Sequence, residues 1–192
     1  MKQDLIRRNI SDSITVKKEL LQNDATMVDI TKVADLIVET FNNGNKLLFC
    51  GNGGSAADAQ HLAAEFSGRY YLNRPPLHAE ALHTDTSFMT AVSNDFSFDE
   101  VYARLIQGIG KQGDILIGMS TSANSKNVIK ALEEAKKKNI ITIGLTGKAN
   151  GNMKPYCDYL INIPSDDTPR IQECHLMLGH AICELVEKEL FS

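Results

Sequence analysis

Apolar residues change their spacing repeatedly along this chain, and the changes lay out its elements. Residues 3–22 and 27–43 place apolar positions at helical intervals and read as two amphipathic helices. In the second, "MVDITKVADLIVETF", residues Val28, Ile30, Val33, Leu36, Ile37 and Phe41 fall mainly on one stripe. "NNGNK" then supplies the asparagine and glycine that helix C-termini favour. Five short apolar runs follow: "KLLFC" (46–50), "AEALH" (79–83), "DILIGM" (114–119), "IITIGL" (140–145) and "DYLINI" (158–163). Such runs read as strands buried on both faces. Residues 55–68, 86–93, 98–109, 125–138 and 168–190 return to helical patterns. Strand alternating with helix implies a parallel sheet covered on both sides. The expected fold is therefore α/β: a three-layer αβα sandwich on a central parallel five-stranded sheet. It forms one domain, with N-terminal helices over 1–44 and the αβα core over 45–192. "NRPPLH" (73–78) is a turn-rich connection within that domain. "KKK" (136–138) closes a helix, where positive charge suits the dipole, and reads as solvated surface.

Composition narrows the function classes. A chain of 192 residues can bury a proper core. A net charge of -4 argues against non-specific nucleic-acid binding, which needs a basic face, but leaves small anionic substrates open. No stretch approaches the roughly 20 apolar residues of a membrane span. The N-terminus "MKQDLIRRNISDSITVKKEL" has no signal-peptide pattern, so a cytoplasmic protein is expected. Cys50, Cys157, Cys174 and Cys183 lack metal-binding spacing and sit among apolar residues, as buried reduced thiols do.

The chemistry concentrates around "GNGGSAADAQHLAAEF" (51–66). Gly51, Gly53 and Ala56 formally satisfy the dinucleotide pattern G-x-G-x-x-A between a strand and a helix. Yet the next strand offers no acidic residue at the spacing of about 20 that a ribose hydroxyl requires, and Asp85 lies too far along. The chain also has a second anion loop, "GMSTSANSKN" (118–127), where Ser120, Thr121, Ser122 and Ser125 crowd a helix N-terminus. Unpaired N–H groups and the dipole favour a phosphate there. One capping hydroxyl would satisfy the helix, which leaves three without that explanation. In a parallel sheet both loops gather at the carboxyl ends of the strands and can face one crevice.

His61 and Glu65 are about 40° apart around a helix and about 6 Å along it, so they project together. Such a pair is often only a surface hydrogen bond. The last helix adds Gln172, His175 and His180, and His180 with Glu184 repeats the same spacing, so spacing alone does not choose the histidine. His78 and His83 have no obvious partners and read as structural. Two histidines with a carboxylate suit zinc, and also suit proton transfer between adjacent sugar carbons.

"CGNGGSAADAQHLAAEFSGRY", "SNDFSFDEVY", "STSANSKNVIKAL" and "RIQECHLMLGHAICELVEKELF" together resemble the sedoheptulose-7-phosphate isomerases (phosphoheptose isomerases) of the sugar isomerase (SIS) superfamily. The motifs occur in the same order over nearly the whole chain. The resemblance implies a flavodoxin-like single SIS domain preceded by helices. It also implies an aldose–ketose isomerase converting D-sedoheptulose 7-phosphate to D-glycero-D-manno-heptose 7-phosphate. That is the entry step of activated heptose biosynthesis for lipopolysaccharide core or other surface glycans. It implies Zn²⁺, one per subunit, on His61, Glu65, Gln172 and His180, with Glu65 as base and His180 as acid in an enediol mechanism. Substrate contacts are implied at Asn52, Gly53, Gly54, Glu65, Asn94, Asp95, Ser120, Thr121, Ser122, Ser125 and Gln172.

The family loop commonly reads S-T-S-G-N-S, and here Ala123 stands in place of the glycine. A different class is the alternative: non-catalytic SIS proteins that bind the replication initiator DnaA, which can lack the acid at the position of Glu65. This chain keeps that carboxylate and the full ligand set. Gln172 and His180, eight residues apart on one helix, differ by about 12 Å along it and about 80° in direction. That separation favours a metal lying between chains, and the resemblance implies a homotetramer with composite active sites.

Overall fold

The computed structural model describes all 192 residues. Two helices, α1 (Lys2–Leu21) and α2 (Asp24–Asn42), lead into β1 (Leu47–Gly51) and α3 (Gly54–Ser67). Then follow β2 (Ala79–Ala81), α4 (Thr86–Asp95), α5 (Val101–Ile109), β3 (Ile115–Ser120), α6 (Lys126–Lys137), β4 (Ile141–Thr146), β5 (Tyr159–Asn162) and α7 (Thr168–Phe191). Single 3-10 turns at Phe98–Glu100 and Lys154–Tyr156 complete the chain; the first occupies the start of the expected 98–109 helix, and the second falls where no element was expected. The five strands pair in parallel in the order β2-β1-β3-β4-β5.

Residue alternation along each strand divides the core into two layers. Leu47 and Phe49, with Ile115, Ile117 and Met119, face a layer formed by α2, α3 and α7. Leu48, Cys50 and Leu116 face the opposite layer of α4, α5 and α6. Because β1 is followed by a helix on one face and β3 by a helix on the other, the connections that leave these adjacent paired strands diverge at their carboxyl ends. That switch point is where open α/β sheets form a ligand crevice.

Helix α2 buries Thr26, Ile30, Val33, Ala34, Ile37 and Thr40. Val28 lies off this stripe and is 51% exposed, whereas Thr26, Ala34 and Thr40 take buried places. In α1 only Leu20 is buried, while Leu5, Ile6, Ile10 and Ile14 stand at about half exposure or more. Lys136 is solvated and pairs with Asp158, but Lys138 is half-buried and donates to the carbonyls of Ile106 and Gln107. The expected surface lysine thus caps the C-terminal end of α5. Cys50, Cys174 and Cys183 are buried and all four cysteines are free. Burial pushes the thiols of Cys157 and Cys183 up to about 12, which leaves them protonated and inert.

Candidate active site

The glycine loop leaves β1 and starts α3. Gly53 adopts φ +55°, the left-handed region that glycine enters without strain, and no side chain caps the helix after it. Gly54 allows a close approach: a Cβ there would lie 2.3 Å from Gln172 Nε2 of α7. Asn52 and Asn127 exchange two amide hydrogen bonds of 2.8 Å, tying this loop to the first turn of α6. The Asn52 side chain is therefore spent on holding the two loops together. Asn127, 98% buried, is a residue that spacing gave no reason to single out.

The second loop leaves β3 for α6. Its hydroxyls bond to one another, Ser120 Oγ to Ser125 Oγ at 2.9 Å and to Ser122 Oγ at 3.5 Å. Ser125 occupies the N-cap position of α6, yet its hydroxyl makes no capping bond. A simple helix cap therefore does not account for these residues. Ala123 is fully buried at φ +57°, an uncommon conformation for an L-residue, so this loop keeps the glycine-type backbone without glycine.

Two turns along α3, His61 and Glu65 project toward α7. His61 Nε2 lies 2.8 Å from His180 Nε2 and 3.2 Å from Glu65 Oε1. One ligand atom from each of the three side chains falls within 4.8 Å of the others. Around a tetrahedral zinc with bonds of about 2.0–2.2 Å, neighbouring ligand atoms are spaced by roughly 3.3 Å. Two imidazole nitrogens and a carboxylate so disposed fit a metal ion with an open position. Helices α3 and α7 run in the same direction and touch closely beside the histidines: a Cβ on Gly179 would meet Leu62 Cδ1 and Cδ2 at 2.5 Å.

The structure separates the two candidate histidines of α7. His180 meets His61, and its spacing partner Glu184 pairs instead with Lys188 at 2.7 Å. His175 is fully buried and its Nε2 donates to the Thr146 carbonyl at 3.2 Å. Burial lowers its pKa to about 4, with that hydrogen bond opposing. His78 has a partner after all, Glu80 Oε1 at 2.7 Å, whereas the buried Nδ1 of His83 has none.

Gln172 stays at Gly54, about 10 Å of helix away from His61. Asn94 and Asp95, at the end of α4, bond through their side chains to each other at 2.9 Å and to neither loop. Within one chain, then, three of the four expected metal ligands converge and Gln172 does not join them.

A buried pair behind the histidines escaped the sequence reading altogether. Glu187 of α7 accepts from the backbone N–H groups of Tyr70, Tyr71 and Leu72 and from Arg74 Nε, at 2.7–3.1 Å. Burial alone would raise the pKa of its carboxyl, but these four donors hold it below the ordinary carboxylate range. Arg74 also donates to the carbonyls of Glu65 and Phe66 at 2.9 and 2.7 Å, closing the C-terminal end of α3. No local pattern could reveal a pair 113 residues apart.

Residues 12–147 match the SIS domain family model, and the chain belongs to the SIS domain family. Within it, similar proteins include phosphoheptose isomerases. The chain is 50% identical over 188 residues to one from Aneurinibacillus thermoaerophilus, covering 98% of this chain and 95% of that one. It is 51% identical over 187 residues to phosphoheptose isomerase 2 of Campylobacter jejuni, covering 97% and 92%. A solved phosphoheptose isomerase from Neisseria gonorrhoeae matches with a TM-score of 0.92 at 39% identity, over 98% of this chain and 100% of that one.

Proposed function

We infer that this chain is a sugar-phosphate isomerase that interconverts D-sedoheptulose 7-phosphate and D-glycero-D-manno-heptose 7-phosphate, an entry step to activated heptose for surface glycans. The observation that carries this reading is the convergence of His61, Glu65 and His180 in a fold whose paired loops offer neutral donors to a phosphate. The phosphate sits on Ser120, Thr121, Ser122 and Ser125 and on the free N–H groups opening α6. Glu65 takes the proton from the carbon beside the carbonyl and returns it to the adjacent carbon. His180 moves the hydroxyl proton between the two oxygens, so that a ketose becomes an aldose with no net change in atoms. His61, Glu65 and His180 would hold Zn²⁺, which when bound would polarise the carbonyl and hydroxyl oxygens. Glu65 is thus assigned both to the metal and to the proton, and metal binding would make its carboxylate a weaker base. Gln172 of a neighbouring copy completes the site in a homotetramer, and Asn94 and Asp95 reach substrate across the same interface. The exposed Ile6, Ile10 and Ile14 of α1 supply apolar surface for that assembly. Cytoplasmic localisation accords with such a biosynthetic role, and no helix is long and apolar enough to cross a membrane.

Glu65→Gln tests the reading, because it keeps shape and removes the basic carboxylate. Turnover of sedoheptulose 7-phosphate should fall by 10²-fold or more, about the lower limit of a general base's contribution, while the fold survives. Near-normal turnover in Glu65→Gln would sink the assignment of Glu65 as base, and no turnover by the parent chain would favour a non-catalytic SIS protein.

A further inference from the structure

The segment after α3 does more than connect. Three consecutive backbone N–H groups, those of Tyr70, Tyr71 and Leu72, converge on the one carboxylate of Glu187. Both side chains of the Arg74–Glu187 pair are 2% exposed, and an ion pair so buried leaves the segment no alternative position without stranding a charge. The same Glu187 lies on α7, seven residues beyond His180, so the clamp is built from the helix that carries the histidine. What it presents to that histidine is the Tyr70 ring, whose centroid lies 5.7 Å from that of His180 at an interplanar angle of 29°. His180 also neighbours His61, with ring centroids 5.0 Å apart at an interplanar angle of 54°. His180 thus adjoins both a proposed metal ligand and an aromatic ring whose backbone is held by a buried charge.

We propose that Tyr70 is a positioning residue for His180, and that Glu187, gripping the backbone of Tyr70–Leu72 with Arg74, fixes Tyr70 in that role. The proposal deepens the isomerase reading, since the oriented ring is the one assigned to metal and proton. The Tyr70 ring lies roughly parallel to that of His180 and its hydroxyl makes no hydrogen bond to the histidine, so the aromatic ring and not the phenol hydroxyl carries the effect. Outer groups that orient a ligating histidine govern metal affinity by roughly 10–100-fold when removed.

The full chain is prepared as Tyr70→Leu, Tyr70→Phe and Glu187→Gln and stripped of metal. Zn²⁺ affinity is measured by competition with a chromophoric chelator, and the metal-free crystal structures report the His180 ring. Tyr70→Leu should weaken Zn²⁺ binding at least tenfold and turn the His180 ring away from His61 in a chain that still unfolds cooperatively. Tyr70→Phe should restore both. In Glu187→Gln the amide nitrogen must face two N–H donors, so this variant should lose Zn²⁺ affinity together with stability. A His180 ring unmoved in Tyr70→Leu, with Zn²⁺ affinity within twofold of the parent, would overturn the role of Tyr70. Full Zn²⁺ affinity in Glu187→Gln would break its link to Glu187. If the parent chain itself binds no Zn²⁺, the metal assignment falls, and the ring position in the metal-free crystals still decides whether Tyr70 positions His180.

Discussion

Gly179→Ala tests whether the close contact of α3 and α7 sets the histidine pair. Alanine would gain about 1 kcal/mol of helix propensity over glycine. Its Cβ, however, would arrive 2.5 Å from both Leu62 methyls and 3.0 Å from Leu62 Cγ. Carbon atoms rest at about 3.5 Å or more, so a displacement of about 1 Å is required. Leu62 is 2% exposed, and the apolar cavity that it lines with Gly179 measures only about 10 Å³, which places the cost in the range of about 1–3 kcal/mol for an overpacked core. The net loss is about 0–2 kcal/mol, or up to about 8 °C in Tm for a domain of this size. The effect on the site should be larger. Leu62 adjoins His61 and Gly179 adjoins His180, so parting the helices by about 1 Å opens the 2.8 Å contact to about 3.8 Å, past the roughly 3.3 Å between ligand atoms of a tetrahedral zinc. Misplacement on that scale lowers turnover by about 10²-fold. Thermal unfolding, Zn²⁺ competition and turnover of sedoheptulose 7-phosphate are measured on the same preparation. Parental turnover and zinc affinity in a folded Gly179→Ala chain would refute the argument that this contact sets the metal geometry.

Replacing Ser120 and Ser125 together by alanine should raise KM for the sugar phosphate at least tenfold, since hydrogen bonds to a charged group contribute about 1.5–3 kcal/mol each; an unchanged KM would reduce the loop to a structural turn. His175 binds a proton near 6.5 when unfolded and near about 4 when folded, so between those values the unfolded chain binds more protons. Its contribution is complete above about pH 6.5 and is lost as pH falls toward 4, by about 3 kcal/mol at 1.36 kcal/mol per unit. Urea unfolding from pH 7 to pH 4.5 should show a shallower decline in His175→Gln than in the parent, and identical slopes would contradict this. Because Glu65 and His180 converge within one chain, a composite site is tested by mixing Glu65→Gln with Gln172→Ala chains under confirmed subunit exchange. Activity should reappear, and its absence would mean that each site is built from one chain.

The sandwich and its parallel sheet were legible because buried strands and amphipathic helices write their periods directly into neighbouring residues. His61 and Glu65 were legible for the same reason, being one turn apart on α3. The choice of His180 over His175 was not, since it depends on which face of α7 meets α3 and which meets Thr146, a matter of tertiary packing. The Glu187–Arg74 clamp and the Asn52–Asn127 pair join residues more than 70 positions apart, where no period extends. Val28 misled because its apolar side chain lies off the buried stripe, while Thr26 and Thr40, which the apolar pattern passes over, take buried places.

Residues 121–125, between β3 and α6, include no lysine or arginine, the ammonium of Lys126 that follows them faces Asp99 at 3.9 Å, and Ser125 leaves α6 without a side-chain cap. A phosphate held in this way meets only fixed dipoles, which have no protons to gain or lose between mild acid and mild alkali. The ionisation that governs capture then belongs to the substrate, whose phosphate gives up its second proton near a pKa of about 6. A chain of net charge -4 can in this way hold a dianion without a titrating cation in the phosphate cradle, and its grip on the phosphate follows the chemistry of the sugar phosphate and not its own.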